Sequence, residues 1–176
     1  MPSPNLLMFG MIAVLGIGSN ADAETPWERY TAQPTSKNAA AVTELAYSDK
    51  RDDLRRKEYD HMLLEVQVTA SDPEAVDLAF RLLRKSDGHV GEQLDEMLGR
   101  LIRINPLLFL KTLQRHRATV VRLDALVGNF GYAYVDRELA HAYERDQRVS
   151  SLLTVKDPAL ARLRDECVKL LLPNRN

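Results

Sequence analysis

The chain has 176 residues and is nearly neutral, with 24 Lys and Arg against 25 Asp and Glu and a formal net charge of −1. Proteins that bind nucleic acids generally are clearly basic, so this balance argues against that class. It also argues against an acidic disordered tail. Cys167 is the single cysteine, so the chain cannot form an intramolecular disulfide.

The first 23 residues have the pattern of a secretory signal peptide. An uncharged apolar run from Leu6 to Gly18 precedes Ala21-Asp22-Ala23, an A-x-A cleavage site, and polar residues follow. A buried N-terminal helix is the alternative, but three glycines in the run disfavour it. The run is also shorter than the roughly 20 residues of a membrane span. We therefore expect cleavage near Ala23 and a soluble periplasmic or secreted product without a lipid anchor.

Residues 24–45 are predicted to form an extended, weakly structured lead-in. Pro26, Pro34 and the polar run 35–38 favour irregular backbone, although an alanine-rich stretch from Ala39 could begin a helix. Trp27 and Tyr30 are expected to pack this segment onto the body of the protein. The remainder, residues 46–176, is predicted to be a single all-helical domain of six to seven helices.

The first helix of this domain is predicted within residues 49–69. Residues 64–69 also alternate like a β-strand, but no second strand of similar strength is available to pair with them. Helical spacing places these apolar residues on one face: Leu54, Tyr59, Met62, Leu63 and Val66.

Three later helices share one start signal, an Asp or Asn directly before a proline. The side-chain oxygen accepts a free backbone N–H, and proline lacks the N–H that would be unpaired at the first helical position. These starts are Asp72-Pro73, Asn105-Pro106 and Asp157-Pro158. Gly88 is predicted to end the first of these helices. The predicted core faces of the middle helices are Val76, Ala79, Phe80 and Leu83, then Leu94, Met97, Leu98, Leu101 and Ile102, then Phe109, Leu110 and Leu113.

The C-terminal part is predicted to contain a short helix at 118–127, a break at 128–131, a long helix and a final helix. The last helix extends from Pro158 to about Leu172, and Cys167 lies on its apolar stripe. We interpret Cys167 as a small buried hydrophobe, with an intermolecular disulfide as the alternative. The long helix is predicted to bury Val135, Leu139, Ala142, Tyr143, Val149 and Leu153.

Residues 71–113 (SDPEAVDLAFRLLRKSDGHVGEQLDEMLGRLIRINPLLFLKTL) resemble HEAT or armadillo-like helical repeats. They contain a helix pair with a proline near the start of its first helix, and another capped start follows at Asn105. The resemblance implies helix pairs stacked into a short curved solenoid whose concave face binds proteins, and it carries no catalytic residues. An irregular helical bundle explains the same pattern.

A repeated Glu-x-x-His pair is the candidate metal site. Glu58 with His61, and Glu138 with His141, have the i, i+3 spacing that ferritin-like di-iron bundles use. In both predicted helices, however, the histidine projects away from the apolar face, so chance pairs on solvated faces are the favoured interpretation. His89 is interpreted as a turn residue and His116 as a surface residue.

A run of basic residues without an intervening acid is the candidate interaction site, and its members are Arg100, Arg103, Lys111, Arg115, Arg117 and Arg122. Together they could form a basic patch for an acidic protein surface or an anionic envelope polymer. The alternative is a solvated face balanced by Glu92, Asp95 and Glu96. Phe130, Tyr132 and Tyr134 could form an aromatic contact loop, or a bent connection with its rings turned inward.

The sequence contains no G-x-S-x-G, H-E-x-x-H, C-x-x-C or glycine-rich phosphate loop, so no catalytic residue or cofactor is assigned. The leading hypothesis is an exported, non-enzymatic helical protein that binds another protein, as an adaptor, an assembly factor or a toxin-blocking immunity protein. A metal-binding bundle or enzyme that uses the Glu-x-x-His pairs, and a binder of anionic envelope polymer, are the alternatives.

Overall fold

The computed structural model describes residues 26–45, 64–84, 86 and 88–172. Over these ranges the fold is all-α, as the sequence predicts, and no residue is in a β-strand. The predicted signal peptide lies outside the described residues. The helices are α1 Pro26–Ala32, α2 Ser36–Leu45, α3 at residues 64–69, α4 Pro73–Leu83, α5 Gly88–Ile104, α6 Pro106–His116, α7 Leu123–Gly128, α8 Glu138–Thr154 and α9 Ala161–Leu171, with 3-10 turns at Tyr132–Tyr134 and Pro158–Leu160.

The three predicted Asx-Pro starts are confirmed. Asp72 accepts two backbone N–H groups at 2.9 and 2.8 Å, and Asn105 accepts one at 3.1 Å. Asp157 accepts one at 3.0 Å, and there the first turn is a 3-10 turn from which α9 continues. Each cap satisfies a donor that the helix itself leaves unpaired, which is worth about 1 kcal/mol.

Helix α5 is the centre of the fold. It contacts α4, α6, α7 and α8, while α9 closes the far side against α7 and α8. The predicted faces of α5 and α6 are confirmed as buried, and so is that of α4 except for Leu83, which is partly exposed. Burial of one such side chain is worth about 1.5–3 kcal/mol, so these faces determine which helices surround α5.

The contacts give no clear evidence of the helical repeat that the sequence resembles. In a solenoid each repeat contacts only its neighbours. Here α5 contacts α8 and α6 contacts α9, so helices distant in the sequence share one core. The resemblance to HEAT or armadillo-like repeats stays a prediction.

The prediction of an extended lead-in at residues 24–45 is wrong for residues 26–45, which form α1 and α2. Pro26 takes the first helical position, where proline is tolerated, and Pro34 lies between the two helices. Tyr30, Ala39 and Val42 are buried, and α2 contacts α4. This tertiary burial stabilises two helices whose own sequences contain no long apolar stripe.

Two further predictions need correction. Residues 64–69 are helical as predicted, but Val66 is 66% exposed whereas Leu64 and Val68 are buried. The other residues of that predicted face, Leu54 to Leu63, lie outside the described residues. Gly88 begins α5 with φ of +51° and does not end α4, which stops at Leu83. A positive φ suits glycine, so this residue serves the turn that precedes α5.

Candidate functional site

Helix α8 packs with a charged face inward and an apolar face outward. Arg148 is fully buried, and Glu144 and Leu152, each one turn away, are buried beside it. Leu139 is 89% exposed and Tyr143 is 62% exposed. At about 100° per residue, Leu139 and Tyr143 lie on the side of α8 opposite Arg148.

The predicted core face of α8 is therefore wrong. Val135, Leu139, Tyr143 and Leu153 are exposed, and Ala142 and Val149 are only partly buried. Apolar periodicity assigns the inward side to whichever face carries Leu and Tyr. In this helix, specific polar contacts decide the orientation.

Those contacts begin with Arg148, which binds the C-terminal end of α7. Its Nη1 donates to the carbonyl oxygens of Val127 at 2.8 Å and Asn129 at 3.0 Å. The last carbonyl groups of a helix have no partner within it, so a buried guanidinium can satisfy them. The Phe130 ring stacks over the guanidinium at 4.5 Å from its centroid. Desolvation by burial lowers the pKa of Arg148 from its usual value.

Glu144 compensates this buried charge. Its Oε1 accepts from Arg148 Nε at 3.3 Å, and its Oε2 accepts from Arg103 Nη1 at 2.7 Å. The hydrogen bond to Glu144 raises the pKa of Arg103, whose side chain reaches solvent. The Tyr134 hydroxyl also approaches Glu144 Oε2 at 3.4 Å. This network joins α5, α7 and α8, and it fixes the rotation of α8 about its own axis.

A cleft of about 390 Å³ opens beside this network. One wall is the start of α5, the other is the loop after α7, and α8 contributes His141. The His141 ring meets the buried Phe130 ring edge-on, with 4.3 Å between their centroids. The lining includes two carboxylates, three aromatic rings and one valine, namely Glu92, Glu96, Phe130, Tyr132, Tyr134 and Val135.

The loop that forms the cleft wall is held by its own hydrogen bonds. Asn129 donates from Nδ2 to the Glu92 carbonyl at 2.9 Å and accepts the Gly131 N–H at 2.9 Å. Gly131 has φ of +83°, and a Cβ there would overlap the Glu96 carboxylate. Glycine is therefore required at this position, both for the backbone and for the close approach of Glu96.

The predicted basic residues do not form one uncompensated patch. Carboxylates from other helices pair with most of them, so the interpretation as a balanced solvated face is the better supported one, although Glu96 is the only predicted balancing acid that pairs. Lys111 is exposed and makes no ion pair within the described ranges. The pairs are Arg100 with Glu65 and Glu96, Arg103 with Glu144, Arg115 with Asp77, Arg117 with Glu166, and Arg122 with Asp124.

The predicted aromatic residues divide between the two interpretations. Phe130 is buried with its ring inward, Tyr134 is partly buried, and Tyr132 is exposed. The loop therefore presents one ring to solvent and uses another to cover Arg148. The role of Phe130 as a lid on a buried cation was missed, because the sequence does not show which arginine lies beneath it.

One of the two candidate metal pairs lies within the described residues. Glu138 and His141 are both exposed, while Glu58 and His61 lie outside the described residues. In the part of the chain that the structure covers, no three His, Cys, Asp or Glu side chains are grouped to hold a metal ion. Cys167 is buried, as predicted, and desolvation raises the pKa of its thiol to about 12.

His116, which the sequence predicts to be a surface residue, is partly buried. Its Nε2 lies 2.8 Å from Asp77 Oδ1, and its ring stacks on Phe80 with 5.5 Å between centroids. Asp77 also pairs with Arg81 and lies 3.4 Å from Arg115. This cluster joins α4 to α6, and it has the character of a structural ion-pair network.

Comparisons with protein families, with curated proteins and with solved structures find no match to this chain. In the described ranges, none of the helices combines the length and the apolar character needed to cross a membrane.

Proposed function

We propose that this is an exported, non-enzymatic helical protein that binds another protein through the outer face of α8. The outer face is defined as Leu139 and Tyr143 on α8 together with Tyr132 and Val135 in the segment directly before α8, all of them exposed. The observation that carries the proposal is the orientation of α8, which leaves Leu139 in solvent while Arg148 is fully buried. A helix with this arrangement has an apolar stripe that the protein's own core does not use.

Burial of the outer face by a partner would supply substantial binding energy. Transfer of one Leu or Val side chain from water is worth about 1.5–3 kcal/mol. Tyrosine is enriched at binding hot spots because it combines a large apolar surface with a hydroxyl group. Two exposed tyrosines and two exposed aliphatic residues on α8 and in the segment before it therefore favour recognition of a protein over recognition of a small solute. An adaptor, an assembly factor and an immunity protein would all use such a face.

Export is proposed on the pattern of residues 1–23, where the apolar run and the A-x-A site predict cleavage after Ala23. Amino-terminal sequencing of the protein isolated from its source tests this part. A chain that begins at Glu24 is expected, and an intact Met1 would contradict export.

Site-specific photo-crosslinking tests the binding surface. Benzoylphenylalanine is placed at position 139 or 143, and at position 162 as a control because Arg162 is exposed on α9. A discrete adduct is expected from positions 139 and 143 and not from 162. Equal labelling from all three positions, or no adduct from 139 and 143, would contradict the proposal. An adduct of twice the chain's mass would contradict a different protein as the partner.

A further inference from the structure

We propose that the cleft beside the outer face receives a lysine or arginine side chain of the partner, whose neighbouring apolar residues cover Leu139 and Tyr143. The inference rests on the proposed function and specifies the chemistry of the partner. Tyr132 and Val135 line the cleft and also belong to the outer face, so the two features share these residues.

The cleft has the size and the walls for one long cationic side chain. Its volume is about 390 Å³, near the lower end of the range for small-ligand sites. Tyr132, which is exposed, and Tyr134, which is partly buried, provide aromatic surface within it, whereas the Phe130 ring already covers Arg148. A cation placed over such a ring is attracted by its quadrupole, and the apolar stem of Lys or Arg packs on the same surface.

The charges at the cleft select a cation. Glu92 and Glu96 both line it from α5. Glu96 already pairs with Arg100, whereas Glu92 forms no ion pair with any other described residue. An incoming carboxylate would meet like charge here, while the basic residues of α5 and α6 are mostly engaged with other acids. The complementary partner at this site is therefore basic.

Contacts within the chain also hold the wall of the cleft in place. The two hydrogen bonds of Asn129 hold the loop against α5, and Gly131 allows the Glu96 carboxylate to pack closely on the backbone. These contacts lie within the chain itself, so little ordering of the loop is needed on binding, which favours affinity.

Binding of peptide mixtures to the cleaved chain tests the inference. The mixtures are hexapeptides with one fixed central residue, which is Arg, Lys, citrulline or Glu, and with apolar residues randomised around it. Citrulline keeps the shape of arginine without its charge. We expect the Arg and Lys mixtures to bind at least tenfold more tightly than the citrulline mixture, and the Glu mixture to bind most weakly. Equal binding of the Arg and citrulline mixtures would overturn the inference.

Two matched variants test whether the preference for Arg over citrulline arises in the cleft. Glu92→Gln removes one negative charge from the cleft, and Asp165→Asn removes one from an exposed site on α9. Glu92→Gln is expected to reduce the preference for Arg over citrulline several-fold, and Asp165→Asn to leave it unchanged. Equal effects of the two variants would show only nonspecific electrostatic attraction and would contradict a specific site. Raising the salt concentration should weaken the binding of the Arg mixture more than the binding of the citrulline mixture.

One more variant separates this inference from the proposed function. Leu139→Ser removes apolar surface from the outer face and leaves both glutamates in place. If Leu139→Ser weakens the binding of all peptide mixtures while Glu92→Gln leaves the preference for Arg unchanged, the outer face binds the partner but the proposed cation site is contradicted. If Leu139→Ser affects neither the peptides nor the photo-crosslinking adducts, the proposed function itself fails. Self-association in light scattering that Leu139→Ser abolishes would overturn the basic partner in favour of a second copy.

Discussion

The guanidinium of Arg148 occupies the space that a side chain at Gly99 would need. A Cβ at position 99 would lie 2.6 Å from Arg148 Nη1 and 3.0 Å from the Leu126 carbonyl oxygen. Gly99 is in the middle of α5, where glycine is less favourable than alanine by about 1 kcal/mol. The close approach of α7 and of Arg148 explains why glycine is present in spite of that cost.

Gly99→Ala is therefore expected to destabilise the protein by about 2–4 kcal/mol, because the arginine or α7 must move. Gly128→Ala is the matched control, since a Cβ there would meet nothing within 4 Å. Urea denaturation should show a large decrease in the free energy of unfolding for Gly99→Ala and little change for Gly128→Ala. Equal stability of both variants would contradict the packing of Arg148 against α5.

Arg148→Met is expected to cost about 3–5 kcal/mol, because it leaves the buried Glu144 with less compensation and two carbonyl groups without a donor. Adding Glu144→Gln to this variant should cost less than Glu144→Gln costs alone in the wild-type protein. A double-mutant cycle measures the difference, which is expected to be about 1–3 kcal/mol. Strict additivity of the two changes would show that the residues do not act as a unit.

The charged form of Asp95 is expected to destabilise the folded protein. Desolvation by burial raises its pKa from 3.8 to about 6, while Arg122 lowers it and Asp124 and Glu92 raise it. The folded protein thus holds this proton more tightly than the unfolded chain, and stability falls as pH rises from about 4 to about 6. Asp95→Asn removes that loss. Because Asp95 is partly exposed, solvent screening reduces the effect, and the advantage of this variant over wild type should grow from near zero at pH 4 to about 1–2 kcal/mol at pH 7. A pH-independent difference would contradict this assignment.

Asp77 has the opposite pH dependence. Burial raises the pKa of its carboxyl, but hydrogen bonds from His116 and Arg81 outweigh that effect and hold it below the usual 3.8. The charged Asp77 carboxylate stabilises the folded protein fully at pH values above the pKa of this carboxyl in the unfolded chain. That stabilisation is lost as the pH falls through the lower pKa that the carboxyl has in the folded protein. Asp77→Asn should cost about 1–2 kcal/mol at pH 6, and this cost should shrink below pH 4. Asp146→Asn, in an exposed pair with Arg145, should cost less than about 1 kcal/mol throughout.

Much of the fold follows from local signals in the sequence. The Asx-Pro starts and the apolar faces of α5 and α6 were predicted correctly because capping and burial act together there. The sequence does not indicate α1, and it indicates α2 only through the alanine-rich stretch from Ala39, because α1 packs on α2 and α2 packs on α4, contacts that a pattern within residues 24–45 does not show.

The candidate site was harder to predict, since polar contacts over long sequence separations create it. Arg148 binds carbonyl groups of Val127 and Asn129 that become available only where α7 ends against α8. The apolar pattern of α8 then predicted the wrong face. One signal was present, because a glycine inside a helical pattern often marks a close approach of another chain segment, and Gly99 is such a residue.

The orientation of α8 is the claim on which the outer face and the cleft both depend. The most direct test compares the free energies of unfolding of Leu139→Ala and Leu152→Ala, measured side by side in urea. Because Leu139 is 89% exposed and Leu152 is fully buried, we predict a loss below about 0.5 kcal/mol for the first and of about 2–5 kcal/mol for the second. A loss for Leu139→Ala as large as that for Leu152→Ala would contradict the account.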